Sequence, residues 1–253
     1  MSLIRVDNVS FGYTSSRRIV DDVSLDIAQG DTVGLVGESG SGKTTLLRLL
    51  LGLARPDSGT ISFDGQSLDP GNRKFMRGFR RQAQVVYQDP YSSLDPRQTI
   101  FSIIAEPLRS LKVEGDHRQM VAAALQSVGL DPDAGTRYPH QFSGGQRQRI
   151  AIARAIVPGP RLLLADEAVS ALDLTTRIHV VELLRELSAD MSLLFVSHDL
   201  GVVAALCRRI VILEKGRIVE QGETRQVLAR PQHPYTQRLL ASVPRLSFKD
   251  HTS

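Results

Sequence analysis

Residues Gly37-Glu38-Ser39-Gly40-Ser41-Gly42-Lys43-Thr44-Thr45 have the types and spacing to bind a chain of phosphates, since positions 37 to 44 satisfy G-x-x-x-x-G-K-[ST]. Glycines let a backbone wrap an anion closely, in conformations that a Cβ would obstruct. The amides of such a loop, and of a helix that begins where it ends, then point at the anion. Lys43 brings a positive charge to the β- and γ-phosphates of a nucleoside triphosphate, and Thr44 offers a hydroxyl to Mg²⁺. A second constellation lies downstream, where the apolar run Leu162-Leu163-Leu164-Ala165 ends in Asp166-Glu167. A strand that carries an Asp to the C-terminal edge of a sheet sets it beside such a loop, where it can hold Mg²⁺ while the adjacent Glu167 polarises an attacking water. Taken alone, an Asp-Glu pair serves equally well as a helix cap. The third constellation is Phe142-Ser143-Gly144-Gly145-Gln146, followed by the helical pattern Arg147-Gln148-Arg149-Ile150-Ala151-Ile152-Ala153-Arg154-Ala155. Its serine and glycines open a helix whose free N–H groups and positive end suit a γ-phosphate.

These residues need elements to hold them. Thr32-Val33-Gly34-Leu35-Val36 is a nearly continuous apolar run, as in a buried parallel strand, and it feeds the first loop. Residues 44–53 are leucine-rich and predict a helix, weakened near its end by Gly52 and stopped by Arg55-Pro56-Asp57-Ser58-Gly59. Upstream, Ile4-Arg5-Val6-Asp7-Asn8-Val9 partly alternates and Val23-Ser24-Leu25-Asp26-Ile27 alternates cleanly, which predicts half-exposed strands. After the strand Ala83-Gln84-Val85-Val86-Tyr87 the periodicity turns helical from about 89 to 157, notably over 100–111 and 119–128, and reads as an inserted helical lobe. Strand patterns return at Leu162-Leu163-Leu164-Ala165, Ser192-Leu193-Leu194-Phe195-Val196 and Ile210-Val211-Ile212-Leu213, alternating with helices such as 175–188. That order predicts an α/β sheet, largely parallel, with helices on both faces.

With Ser143-Gly144-Gly145-Gln146 in place, the sequence resembles the ATP-binding-cassette (ABC) family over essentially its whole length, from about residue 3 to 245. The family signature usually begins with Leu; Phe142 stands there in this chain and leaves Ser-Gly-Gly intact. The resemblance implies an ATPase that uses ATP and Mg²⁺. The implied fold is a P-loop NTPase core with a mostly parallel sheet, an N-terminal antiparallel β-subdomain and an inserted α-helical subdomain. On that pattern residues 1–253 form one nucleotide-binding domain: a RecA-like core with its β-subdomain over 1–88 and 158–222, a helical subdomain over 89–157, and a C-terminal appendage over 223–253. The same resemblance implies roles. Tyr13 would stack on adenine, and Gly37, Glu38, Ser39, Gly40, Ser41, Gly42, Lys43, Thr44 and Thr45 would bind the phosphates. Gln88 would sense Mg²⁺ and link the nucleotide to the transport partner, with Thr44, Gln88 and Asp166 around the metal. Glu167 would be catalytic, and His198, in Val196-Ser197-His198-Asp199, would contact it and the γ-phosphate. Ser143, Gly144, Gly145 and Gln146 would touch the ATP of a partner subunit, and Asp173 of Ser170-Ala171-Leu172-Asp173 would cross the dimer interface. Most members carry Pro-Thr after the Asp-Glu pair, where this chain has Ala168-Val169. That departure leaves Asp166-Glu167 untouched, so an active site is expected.

Composition narrows the class. The chain has 253 residues, 42% hydrophobic and 23% charged, as soluble globular proteins do. No apolar run approaches the roughly 20 residues a membrane span needs, and Met1-Ser2-Leu3-Ile4-Arg5 does not read as a secretion signal, so a cytoplasmic location is expected. The single cysteine, Cys207, allows no internal disulfide framework and reads as a small buried hydrophobe. Net charge is +4. The basic residues are dispersed apart from Arg73-Lys74, Arg77 and Arg80-Arg81, which read as a solvated face rather than a nucleic-acid surface. His117, His140, His179, His233 and His251 have no metal-ligand spacing.

Two further stretches resemble one branch of the family, the oligopeptide/dipeptide/nickel importers: Gln88-Asp89-Pro90-Tyr91-Ser92-Ser93-Leu94-Asp95-Pro96-Arg97 and His233-Pro234-Tyr235-Thr236. The resemblance implies a second ABC ATPase subunit, an unlike paralogue in the first place or a second copy of this chain. It further implies two transmembrane permease subunits, an extracytoplasmic substrate-binding protein, no nucleic acid, and a peripheral place on the cytoplasmic face of the inner or cell membrane. Longer members of the branch carry a cysteine cluster for an iron–sulfur centre, which needs about four thiolates; with one Cys this chain resembles the shorter subunits, including those for nickel or metal-chelate uptake. Oligo- and dipeptides are the expected cargo, with nickel or a metal chelate as the alternative. A non-transport accessory ATPase, of the kind that accompanies carbon–phosphorus lyase enzymes, is the competing class. ABC ATPases of repair and translation are disfavoured, because the chain has neither a long coiled-coil insertion nor a second cassette.

Overall fold

Period-two alternation in the strands divides the apolar residues between two cores, one on each face of a central sheet. In the computed structural model, which describes residues 2–14, 17–89 and 93–242, two sheets form. The first is antiparallel: β1 (Ser2–Phe11), β2 (Val20–Ala28), β4 (Ser58–Phe63) and β5 (Gln66–Ser67) lie in the order β2-β1-β4-β5. The second contains β3 (Thr32–Val36), β6 (Ala83–Val86), β7 (Leu162–Asp166), β8 (Ser192–Ser197), β9 (Arg209–Glu214) and β10 (Arg217–Glu223), in the order β10-β9-β3-β8-β7-β6. All neighbours in it are parallel except the β9–β10 hairpin. The expected α/β fold with a largely parallel sheet and an N-terminal antiparallel sheet is what the chain adopts.

Leu162, Leu164, Leu194, Val196, Val211 and Leu213 face the antiparallel sheet and pack with Ile4, Ile27 and Phe63. Their neighbours Leu163, Ala165, Leu193, Phe195, Ile210 and Ile212 face the other way, toward the helices. Each such Leu, Ile, Val or Phe side chain, fully buried, stabilises the fold by about 1.5–3 kcal/mol. Helix α1 (Lys43–Leu50) lies between the two sheets with Leu46, Leu47, Leu49 and Leu50 buried. It is shorter than the predicted 44–53 because the chain turns at Gly52, with φ +63°. The second core is closed by α3 (Ile100–Ile104), α4 (Glu106–Ser110), α5 (His117–Ser127), α6 (Gly144–Ile156), α7 (Leu174–Leu187) and α8 (Leu200–Leu206). Two short helices, α9 (Thr224–Ala229) and α10 (Pro234–Ala241), follow the last strand.

One sequence expectation needs correction, and the basic cluster takes the form of the solvated face expected of it. Residues 100–111 form two short helices, not one: Pro107 has no N–H to give to Ile103, and Ala105 caps the end of α3 and the start of α4. The cluster Arg73-Lys74, Arg77 and Arg80-Arg81 is one side of a helix, α2 (Arg73–Gln82), whose buried residues are Met76 and Phe79. At about 100° per residue the five cations fall within an arc of about 120°, and all are exposed. Pro90, Tyr91 and Ser92, and the stretch 243–253 with Pro244 and His251, lie outside the described residues. Among those described, no helix is long and apolar enough to cross a membrane.

Candidate active site

Strand β3 runs straight into the glycine-rich loop, and the loop's path explains two of its glycines. A Cβ on Gly37 would stand 2.3 Å from the carbonyl oxygen of Leu213. Gly42 sits at φ +109°, and a Cβ there would meet the carbonyl oxygen of Ile19 at 2.7 Å. No side chain caps the leading N–H groups of α1, and its first turn holds no acid. By contrast α2, α3, α5, α6, α7 and α8 begin with capping side chains from Asn72, Thr99, Asp116, Ser143, Asp173 and Asp199. The leading N–H groups of α1 thus carry no side-chain cap, as is also the case at α4 and α9, and an open helix start of this kind can receive an anion. Glu38, Ser39, Gly40 and Thr44 are exposed, so the loop is an open edge. From behind, the Gly216 N–H donates to the Ser41 carbonyl (2.8 Å) and the Glu38 N–H donates to Tyr235 Oη (2.8 Å).

Lys43 is only 6% exposed. Its Nζ donates to the carbonyls of Gly37 (2.7 Å) and Glu38 (2.9 Å). Burial pulls its pKa down, opposed by the charges of Glu167 and Asp166. Those carboxylates are delivered by register: Val36 pairs with Ser197 of β8, Val196 of β8 pairs with Asp166 of β7, and the Glu167 N–H donates to Val196 O at 2.9 Å. Burial raises the Asp166 carboxyl, the charge of Glu167 raises it further, and Lys43 works the other way. Glu167 adopts φ +46°, a conformation that costs a non-glycine residue about 1–2 kcal/mol. It is held there because the backbone N–H (3.0 Å) and Oγ–H (2.9 Å) of Ser170 both donate to its carbonyl. Its Oε1 lies 3.2 Å from Nδ1 of His198, with the imidazole 59% exposed and the carboxylate side chain 20% exposed. The Gln88 amide nitrogen donates to Ser170 Oγ at 3.3 Å, which ties the end of β6 to the Glu167 turn.

The fold thus gathers Lys43, Asp166, Glu167 and His198 at one edge of the sheet, with Gln88 joined through Ser170. It does not bring in the rest. Tyr13 is 59% exposed and packs edge-on against Phe11. Ser143 opens α6 with a reciprocal cap: the Gln146 N–H donates to Ser143 Oγ (3.3 Å) and the Ser143 N–H to Gln146 Oε1 (3.0 Å). Gly145 lies against α7, where an added Cβ would stand 2.3 Å from Thr176 Cγ2. Asp173 caps α7, accepting from the Thr176 N–H at 3.0 Å. Among the described residues no hydrogen bond joins Tyr13, Ser143 to Gln146, or Asp173 to residues 37–45 of the same chain. Sequence reasoning missed two participants, Ser170 and Tyr235. Both stand inside motifs already singled out, but their partners are 82 and 197 residues away.

Residues 20–170 match the family model described as ABC transporter, and residues 219–253 match that of the oligopeptide/dipeptide transporter C-terminal region. The chain belongs to the ABC transporter family and is an ABC-type ATPase. Among its relatives, a Brucella ovis protein provisionally named a peptide import ATP-binding protein is 47% identical over 235 residues, covering 91% of this chain and 74% of the relative. The glutathione import ATP-binding protein GsiA of Escherichia coli K12 is 49% identical over 229 residues, covering 89% of this chain and 37% of GsiA. Among solved structures, CbiO1 of Clostridium perfringens, part of an ABC transporter complex, superposes with a TM-score of 0.82 at 25% identity, over 90% of this chain and 91% of that one. The ATP-binding cassette MJ0796, solved as a dimer in a post-hydrolysis state with ADP and phosphate, gives 0.77 at 28% identity, over 88% and 99%.

Proposed function

We propose that this chain is the ATP-hydrolysing subunit of a membrane importer whose cargo is oligo- or dipeptides. The observation that carries the catalytic assignment is the Glu167 carboxylate, held 3.2 Å from His198 at the sheet edge where Lys43 is buried. Glu167 accepts a proton from the attacking water, a contribution worth roughly 10²–10⁴ in rate, and His198 orients its carboxylate. The backbone of residues 37–45 and the uncapped start of α1 hold the phosphates, and Tyr13 offers its exposed ring to the base. Thr44, Asp166 and Gln88 supply only oxygen donors, the set a hard cation takes, and the charge of Asp166 beside Glu167 suits a dication. Mg²⁺, when bound, neutralises charge on the phosphate oxygens; the residues position it there.

Ser143, Gly144, Gly145 and Gln146 complete the site of a second subunit, with Asp173 at the junction. Support comes from Leu174 and Ile178, one turn apart on α7 beside Asp173, which stay 71% and 50% exposed in the single chain. The partner is an unlike ABC ATPase or a second copy of this chain. The pair works on two permease subunits at the cytoplasmic face of the membrane, supplied by an extracytoplasmic binding protein. The peptide cargo is supported by the match at residues 219–253 and by relatives named for peptide and glutathione import. The catalytic test is Glu167→Gln, which should retain ATP binding and lose at least about 100-fold in turnover. Hydrolysis at the normal rate would remove Glu167 from the reaction.

A further inference from the structure

The Gly37–Glu38 peptide is gripped from both edges. Its carbonyl, on Gly37, accepts from Lys43 Nζ at 2.7 Å; its N–H, on Glu38, donates to Tyr235 Oη at 2.8 Å. Tyr235 is 3% exposed and belongs to the C-terminal helix α10, far from the catalytic motifs in sequence. A peptide is planar, so fixing one edge fixes the direction of the other. The tyrosine hydroxyl therefore sets where the Gly37 carbonyl points, and with it the resting place of the Lys43 ammonium.

The helix that carries the hydroxyl is itself anchored. Glu220 of β10 anchors the approach to α10, its two carboxylate oxygens accepting from the N–H groups of Gln232 (2.9 Å) and His233 (3.1 Å). The Tyr235 N–H donates to His233 Nδ1 at 3.2 Å. The Arg238 guanidinium lies 5.8 Å from the centre of the Tyr235 ring and reaches Glu214, at the end of β9, at 3.4 Å. Two residues beyond Glu214, the Gly216 N–H holds the Ser41 carbonyl at 2.8 Å. The β9–β10 turn and α10 thus hold the loop at two points, 38 and 41, as one assembly.

We propose that Tyr235 is a positioning residue of the nucleotide site: its hydroxyl keeps the Gly37–Glu38 peptide, and through it Lys43, in the phosphate-receptive arrangement, and makes the C-terminal segment part of the loop's support. The inference rests on reading residues 37–45 as the ATP loop. Without the hydroxyl the Glu38 N–H loses its partner and the receptive arrangement is populated for a smaller fraction of the time, which weakens apparent affinity in proportion.

The test is Tyr235→Phe in the full chain, which keeps the ring and deletes the oxygen. The dissociation constant and KM for ATP should rise about 3- to 10-fold, as loss of one modest hydrogen bond gives, with kcat within about twofold and Tm nearly unchanged. Amide hydrogen exchange at Glu38, measured without nucleotide, should quicken by a similar factor. Unchanged ATP affinity overturns the proposal, and a lowered Tm with unchanged affinity does the same by reducing Tyr235 to a packing residue. Wild-type protein that fails to bind ATP overturns the reading of the loop, whereas Glu38 exchange that does not quicken overturns the tether alone.

Discussion

Gly145 offers a quantitative test, because two physical reasons for its bare Cα can be separated. An added Cβ would stand 2.3 Å from Cγ2 of Thr176, while Thr176 Cβ and Oγ1 lie at an ordinary 3.5 Å. Gly145→Ala should therefore overpack the α6–α7 contact at a cost of about 1–3 kcal/mol. Against this stands a gain of up to about 1 kcal/mol for alanine over glycine within a helix. The net loss is then about 0–3 kcal/mol, or a fall of up to about 12 °C in Tm for a chain of this size, at about 2–4 °C per kcal/mol. Thr176→Ser deletes the clashing methyl and keeps both the N–H that Asp173 caps and the hydroxyl that bonds its carboxylate, an interaction that also holds Asp173 below the usual carboxylate range. In that background Gly145→Ala should be neutral or stabilising, with a coupling of about 1–3 kcal/mol between the two sites. Denaturant unfolding of wild type, both single variants and the double variant measures the coupling directly. Equal losses from Gly145→Ala in both backgrounds would refute the packing argument. ATPase turnover, read on the same proteins, addresses the second reason. If Gly145 also presents its bare face to a partner's nucleotide, the double variant recovers stability but not hydrolysis, and full recovery of both removes Gly145 from the composite site.

Two further outcomes follow from groups outside the active site. Burial pushes the Cys207 thiol from 9.0 up to about 12, so the stability it contributes is complete below pH 9 and is lost as pH rises toward 12, where only the unfolded chain can ionise it. Cys207→Ala should flatten that alkaline loss by up to ~4 kcal/mol in urea titrations under reducing conditions, and native wild-type protein should resist thiol reagents at pH 8; rapid labelling without unfolding would contradict the burial. Arg161 reaches Asp64 at 2.8 Å and the side-chain carbonyl of Gln82 at 3.1 Å, linking the core sheet to the antiparallel sheet. Because the pair is one-third exposed on the arginine side and more on the aspartate side, Arg161→Ala should cost only about 1 kcal/mol by urea midpoint. Arg161→Lys should cost nearly as much, since an ammonium does not reproduce the guanidinium fork; recovery by lysine would mean that charge alone matters.

Much of the site is legible in the sequence, for a physical reason. Wrapping a phosphate demands glycines and a lysine in consecutive positions, and a buried parallel strand demands an unbroken apolar run, so Gly37 to Thr45, Val33 to Val36 and Leu162 to Asp166 declare themselves locally. The helix over Arg73–Gln82 did not, because only Met76 and Phe79 are buried while five cations dominate its composition. The helical period over 100–111 likewise concealed the break that Pro107 imposes, since periodicity reports which face is apolar and not whether each N–H exists. What stayed invisible at the site itself was contact across the chain. Ser170 stands between Gln88 and the Glu167 carbonyl, Thr176 closes against Gly145, and Tyr235 holds the Glu38 N–H. Ser170 and Tyr235 stand inside motifs that the sequence singles out and Thr176 does not, but in no case does local spacing say which distant atom the side chain will meet. Yet each bears on the pose of an atom that a motif residue needs: the Glu167 turn, the start of α6, the Gly37 carbonyl. A motif therefore specifies which functional groups are available, and the long-range contacts determine whether those groups are aimed. Substitutions at Tyr235, Ser170 or Thr176 should accordingly alter affinity or turnover while leaving residues 37–45, Asp166-Glu167 and Ser143-Gly144-Gly145-Gln146 intact.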